Sequence, residues 1–150
     1  MTPAAELDSV LARLAMYREA RGESMAAKAG VLAVLRNRAN DPKNRWPKTL
    51  AGVVLEPGQF SSFSAKDPNS VVFPNPAHAA DWQSWLDCCE VFDVPLIADP
   101  TMGANSYHSI PDAGYTYKNT EGKTVTLMPP SWADPAKLTA QIGNTKFYRL

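Results

Sequence analysis

The chain has 150 residues, 45% of them hydrophobic and 20% charged, which fits one folded domain spanning residues 1–150 and excludes extended disorder. Fifteen basic residues offset fifteen acidic ones, so the net charge points to neither nucleic acid nor an anionic membrane surface as partner. A neutral sugar polymer suits this balance.

The opening residues carry no basic stretch followed by an unbroken apolar run. No later segment approaches the ~18 apolar residues of a membrane span. The reading is a protein made in the cytoplasm, with no stable membrane association. Leu7, Val10, Leu11, Leu14 and Tyr17 recur at three- and four-residue spacing, which predicts an amphipathic helix over about 4–20, stopped at Gly22. Ser24 caps a second helix, Met25 to Ala39, whose apolar residues cover more than one stripe and mark it as the central helix. Gly30 inside it suggests a close helix–helix contact. Asn40, Asp41 and Pro42 end this helix, and Thr49 caps a short one, Leu50 to Leu55.

From Gln59 to Pro76 the chain is rich in Ser, Asn and Pro, and reads as a surface loop anchored by Phe60, Phe63 and Phe73. Asn75 and Pro76 read as the cap and first turn of the next helix, with His78, Trp82, Trp85, Leu86 and Cys89 on one face. Cys88 and Cys89, the only cysteines, are adjacent and lack the spacing of a redox or zinc motif. They read as small hydrophobes on a helix. Tyr115 to Leu127 predicts a hairpin turning at Glu121-Gly122. Asp134 caps a last short helix over 135–142, before an extended end from Lys146 to Leu150. The fold class is α+β: one mostly helical domain with a small antiparallel sheet.

The chemistry concentrates at Tyr17-Arg18-Glu19-Ala20-Arg21-Gly22-Glu23, where the first helix meets the second. A carboxyl group there can face a cleft from a rigid backbone, and burial against apolar walls would keep its proton near neutral pH. On local sequence alone, the simpler reading is an exposed glutamate paired with Arg18 or Arg21. Two histidines, His78 and His108, and two adjacent cysteines supply no metal-ligand set, so neither metal nor other cofactor is expected. The same shortage disfavours a metal-dependent amidase or peptidase. A cysteine peptidase is disfavoured too, because nothing around Cys88 and Cys89 suggests an activated thiol.

A longer pattern tips the balance. The blocks YREARGES, AAKAGVLAVLRNRA, WPKTLAGVVLEPGQFS, DPTMGANSYHS, PPSWA and IGNTKFYRL, in that order, resemble the spore cortex-lytic (SleB-like) cell wall hydrolase family. The resemblance implies a lysozyme-like fold and cleavage of the β-1,4 bond between N-acetylmuramic acid (MurNAc) and N-acetylglucosamine (GlcNAc). It makes Glu19, the first glutamate of the EARGE block, the catalytic acid/base and gives Glu23 a supporting role. Gln59 and Ser61 become candidates for binding sugar amides or hydroxyls, while Phe60 reads better as a core anchor. Tyr107 and His108 fall on an extended segment that faces the cleft in the family. Two departures stand out: Thr145 replaces a histidine common in the final block, and ANSYHS replaces the GATHYH of many phage-type relatives.

No second carboxylate belongs to these blocks, since Asp67, Asp99 and Asp112 lie in loops. The resemblance is therefore read as a lytic transglycosylase leaving 1,6-anhydroMurNAc ends. A hydrolytic muramidase on the same bond stays open. So does a non-catalytic glycan-binding or virion structural module. The expected partner is the peptidoglycan glycan strand and no nucleic acid. The expected setting is a phage-type endolysin, a monomer that reaches the host wall through a lesion made by a separate holin-like protein.

Overall fold

The computed structural model describes all 150 residues. Thr2 opens the first helix, α1 (Pro3–Ala20): its hydroxyl accepts from the Ala5 N–H, and Pro3 occupies the first turn, where a missing donor costs nothing. Leu7 and Val10, expected on the buried stripe, are instead about half exposed at 51% and 52%. Ser9, Ala12, Ala15, Met16 and Tyr17 face inward. Three other helices pack on α1, and small side chains let their backbones come close.

The second helix, α2 (Met25–Ala39), starts at Ser24, whose hydroxyl accepts from the Ala27 N–H, and it runs through the middle of the core as expected. Val31, Leu32 and Leu35 pack with Val53 and Val54 of a short helix, α3 (Leu50–Leu55). Asp8 of α1 accepts from the Ala51 N–H at 2.9 Å, tying α3 to α1. The fourth helix, α4 (Ala79–Asp93), begins later than the Asn75-Pro76 signal suggests. His78 is its cap, accepting from the Asp81 N–H through Nδ1, while Asn75 folds into a local turn by accepting from the Ala77 N–H. Its buried face is Ser84, Cys88 and Val91, not the aromatic face; Leu86 is exposed and Cys89 half-buried. Small residues again win the tightest contacts. Burial pushes the Cys88 thiol up to about 12, which keeps it inert.

The strands follow. β1 (Ser106–His108), β4 (Leu138–Ile142) and β5 (Thr145–Tyr148) form one antiparallel sheet in the order β1-β5-β4. β2 (Tyr115–Lys118) and β3 (Thr124–Leu127) form the expected hairpin. The last predicted helix is not there. Asp134 caps only a single 3-10 turn, Pro135–Lys137, and the chain then extends as β4, which pairs with β5 across a turn with Gly143 at φ +58°. Backbone pairing with β5 outweighs the weak local helix signal. The architecture is thus α+β and mostly helical, with small antiparallel sheets.

Gly30 marks a helix–strand contact rather than a helix–helix one. A Cβ there would sit 2.5 Å from the ring tip of the fully buried Phe147 on β5. Gly30→Ala should therefore lower stability by about 1–3 kcal/mol through overpacking, despite the ~1 kcal/mol that alanine gains in a helix. Chemical denaturation checks this, and a stabilised Ala variant would show that the ring moves freely.

Candidate active site

Glu19 sits in the last turn of α1, and that turn is held from two sides. Lys28 of α2, almost completely buried, donates to the carbonyls of Glu23 at 2.7 Å and Arg21 at 3.5 Å. Ser84 of α4 also donates to the Arg21 carbonyl, at 2.6 Å. The Tyr17 hydroxyl donates to Asp81, and its ring meets Trp85 edge-on. The end of α1, which would otherwise leave carbonyls without donors, is thereby fixed by side chains.

Neither flanking arginine pairs with Glu19. Arg18 turns away and donates to three loop carbonyls: Ser62 at 3.0 Å, Ser70 at 2.9 Å and Val72 at 3.1 Å. Its guanidinium also lies over the rings of Phe63 and Phe73. One side chain thus organises much of the 59–76 loop, and that loop brings Ser62 onto Glu19. Arg21 lies over the Tyr17 ring. The simple exposed ion pair is not formed.

The half-buried Glu19 carboxyl instead accepts two hydroxyl donors, Ser62 Oγ on Oε1 at 3.0 Å and Tyr107 Oη on Oε2 at 3.1 Å. Loss of hydration raises its pKa above the usual glutamate value, and the Asp67 charge pushes the same way. The two hydroxyls and the nearby Arg38 charge oppose that rise without cancelling it. Burial and the adjacent glutamate hold the Tyr107 phenol well above its ordinary value, so it stays a donor. Because the Ser62 hydrogen bond favours the ionised carboxylate, Ser62→Ala should raise the Glu19 pKa further. The alkaline limb of any activity that needs its proton should then move to higher pH. A pH–rate profile of the Ala variant with an unmoved or lowered alkaline limb would contradict this geometry.

Glu19 lines a cleft of about 620 Å³, together with Arg38, Arg45, Trp46, Gln59, Phe60, Ser61, Tyr107 and Trp132. It is the only carboxylate side chain in that wall. Gln59 accepts from Arg38 Nη1 at 3.4 Å, and Ser61 lies beside Asp67. Phe60 is both a buried core anchor and part of the cleft wall.

Two expected residues are not brought to the cleft. Glu23 is exposed, with a side chain free of hydrogen bonds and ion pairs, because the turn after α1 points it to solvent. His108 lies outside the wall because alternation along β1 sends it to the face opposite Tyr107. There its Nε2 pairs with the Tyr148 hydroxyl at 3.1 Å, its ring stacks on Tyr148, and it meets Trp132 edge-on. Burial and Lys146 push its pKa down. It buttresses the cleft from behind. Sequence reasoning also missed Ser62, Arg38, Trp46 and Trp132, although the last three lie in blocks that carry the family resemblance.

No group of three or more His, Cys, Asp or Glu side chains converges to hold a metal ion, and no helix is long and apolar enough to cross a membrane. The family model described as Cell Wall Hydrolase matches residues 22–148. That interval starts three residues after Glu19. Among solved structures, the catalytic domain of the Bacillus cereus SleB protein is 26% identical, with a TM-score of 0.59, covering 99% of this chain and 94% of that one. No curated protein matches the chain significantly. A pinned helix-end glutamate in a polar and aromatic cleft, a lysozyme-like α+β fold and a family match over most of the sequence agree, and the chain belongs to the cell wall hydrolase family, whose work is peptidoglycan degradation.

Proposed function

We propose that the protein is a lytic transglycosylase that cleaves the MurNAc–GlcNAc β-1,4 bond, with Glu19 as both acid and base. The observation that carries this reading is that Glu19 is the sole side-chain carboxylate lining the cleft. Two-carboxylate glycosidases place their pair about 5–5.5 Å apart when retaining and about 6.5–9.5 Å apart when inverting. The other loop carboxylates have structural work. Asp67 caps the 3-10 turn Pro68–Val71, Asp99 accepts from Asn37, Thr101 and Gly103, and Asp112 pairs with Lys146.

In the proposed sequence, the protonated Glu19 gives its proton to the glycosidic oxygen. The bond from that oxygen to the muramic acid C1 breaks, and the GlcNAc leaves with a free hydroxyl. The acetamido group of the muramic acid supports the cationic centre. The Glu19 carboxylate then takes the proton of the C6 hydroxyl as O6 bonds to C1, closing the 1,6-anhydro ring and restoring the acid. The raised pKa suits the first step, and the Ser62 and Tyr107 hydroxyls hold the carboxylate in place for the second.

We further propose that the protein is a phage-type endolysin, made in the cytoplasm and acting as a monomer once a separate holin-like protein has opened the membrane. Cytoplasmic expression should then lyse cells only after permeabilisation. Purified murein provides the direct test. The protein should clear it at an equal rate with and without EDTA, and the soluble products should resist borohydride because no hemiacetal remains. Reducible ends in most of the digest would mark a hydrolytic muramidase. Loss of activity in EDTA, restored by zinc, would mark a metal-dependent enzyme. Binding to murein without release of fragments would mark a non-catalytic module.

A further inference from the structure

Arg38 is 7% exposed and belongs to no ion pair. Its Nε donates to the Asn105 carbonyl at 2.6 Å and its Nη1 reaches Gln59, while Nη2 has no protein acceptor and is not sealed from solvent. A buried guanidinium with an unused donor in a cleft wall is set for an oxygen that the substrate brings. Arg45 flanks it, and both guanidinium groups lie over the Trp46 ring, at 5.5 and 4.5 Å from its centre.

The cleft does not end there. A second cavity of about 420 Å³ shares Arg45 and Leu150 with the first, so the two adjoin. Among charged side chains its wall carries Lys43, Arg45 and Arg149 against Asp41 alone. Asp41 is already engaged by Arg45 through three hydrogen bonds, at 2.9, 3.0 and 3.1 Å, so that pair cancels and Lys43 and Arg149 remain as the positive excess. In a chain of net charge zero, positive side chains are therefore gathered in the extension of the cleft. In an intact strand the N-acetylated sugars are neutral and each lactyl group is tied up in its amide bond to a stem, so the sugar backbone gives such a strip nothing to meet. The negative groups of peptidoglycan are the carboxylates of the peptide stems, which leave the muramic acid through its lactyl group, beside the bond to be cut. Two extended stem residues span about 7 Å, enough to pass from the sugar site into a neighbouring cavity.

From this we infer that the groove running from Arg38 past Arg45 to Lys43 and Arg149 is a binding site for peptide-stem carboxylates. The enzyme is then selective for strands whose stems are present and charged. This rests on the reading that peptidoglycan strands occupy the Glu19 cleft. Steering by such a strip is electrostatic, so it weakens as salt rises.

The test measures binding by calorimetry in Glu19→Gln protein, so that turnover cannot blur it. The probes are soluble disaccharide-peptide oligomers, the same oligomers with stem carboxylates converted to amides, and oligomers stripped of stems by an amidase. The stripped oligomers expose lactyl carboxylates instead. At low salt the intact oligomers should bind about tenfold more tightly than the amidated ones. Lys43→Glu should abolish most of that preference; Lys43 is exposed and its side chain makes no hydrogen bond, so the fold is not at stake. Equal binding of intact and amidated oligomers would overturn the stem site, as would a preference untouched by Lys43→Glu. Stripped oligomers binding as tightly as intact ones would overturn it in favour of the lactyl carboxylate. Wild-type protein that shows the preference yet leaves glycan bonds uncut would refute the transglycosylase reading and leave the stem site standing.

Discussion

Glu19→Gln should lower turnover on murein by about 10²–10⁴, the usual worth of a general acid/base, while the protein stays folded. Glutamine keeps the shape of the side chain; its single oxygen can accept from one of Ser62 and Tyr107, and its NH2 can donate to the hydroxyl oxygen of the other. What it lacks is the proton to give and the charge to take it back. Stability adds an independent check with a definite sign. The folded-state pKa of Glu19 is raised, so between the unfolded and folded values the native protein binds the extra proton. Stability from this group is therefore full below the unfolded pKa and is lost as pH rises through the folded one. Glutamine cannot ionise. The Gln variant should gain in stability relative to wild type as pH climbs through that window, and the gain should level off above it. Denaturation midpoints at several pH values would show it. Glu23→Gln, on an exposed side chain outside the cleft, should change both measurements little. Near wild-type lysis by Glu19→Gln would sink the assignment.

Arg18→Met should be the most damaging substitution outside the cleft wall. It leaves the carbonyls of Ser62, Ser70 and Val72 without their shared donor and removes the cation from Phe63 and Phe73. A hydrogen bond from a charged group contributes about 1.5–3 kcal/mol. Since water can reach part of this loop, a total loss of about 3 kcal/mol is expected. Activity should fall as well, because the loop that carries Ser62, Gln59 and Ser61 loses its anchor. Arg18→Lys should recover only part, as one ammonium cannot span three carbonyls in the plane that a guanidinium fits. Urea denaturation and amide exchange over residues 59–73 test both halves. Unchanged protection there in the Met variant would mean that the phenylalanines alone hold the loop.

The second and third helices were legible because their caps are local. Thr49 and Ser24 sit where the chain turns, and their hydroxyls accept the expected N–H groups. The hairpin at Glu121-Gly122 was legible for the same reason. What failed depended on distant partners. Residues 138–142 form a strand only because β5 pairs with them, and α4 buries Ser84 and Cys88 because α1 and α2 leave little room. The site divides along the same line. Glu19, Gln59, Ser61 and Tyr107 line one cleft. His108, next to Tyr107, is turned to the other face by strand alternation. Ser62, one residue beyond Ser61, reaches Glu19 only because Arg18 folds the loop inward. No local pattern records that contact.

The central claim is that Glu19 works without a water nucleophile, and digestion of purified murein in oxygen-18 water tests it most directly. Ring closure by the tethered C6 hydroxyl avoids immobilising a free water, so the new muramic acid ends should carry no label. They should also be lighter by one water than reducing ends. Ends heavier by one labelled water would contradict the account and establish hydrolysis at the same bond.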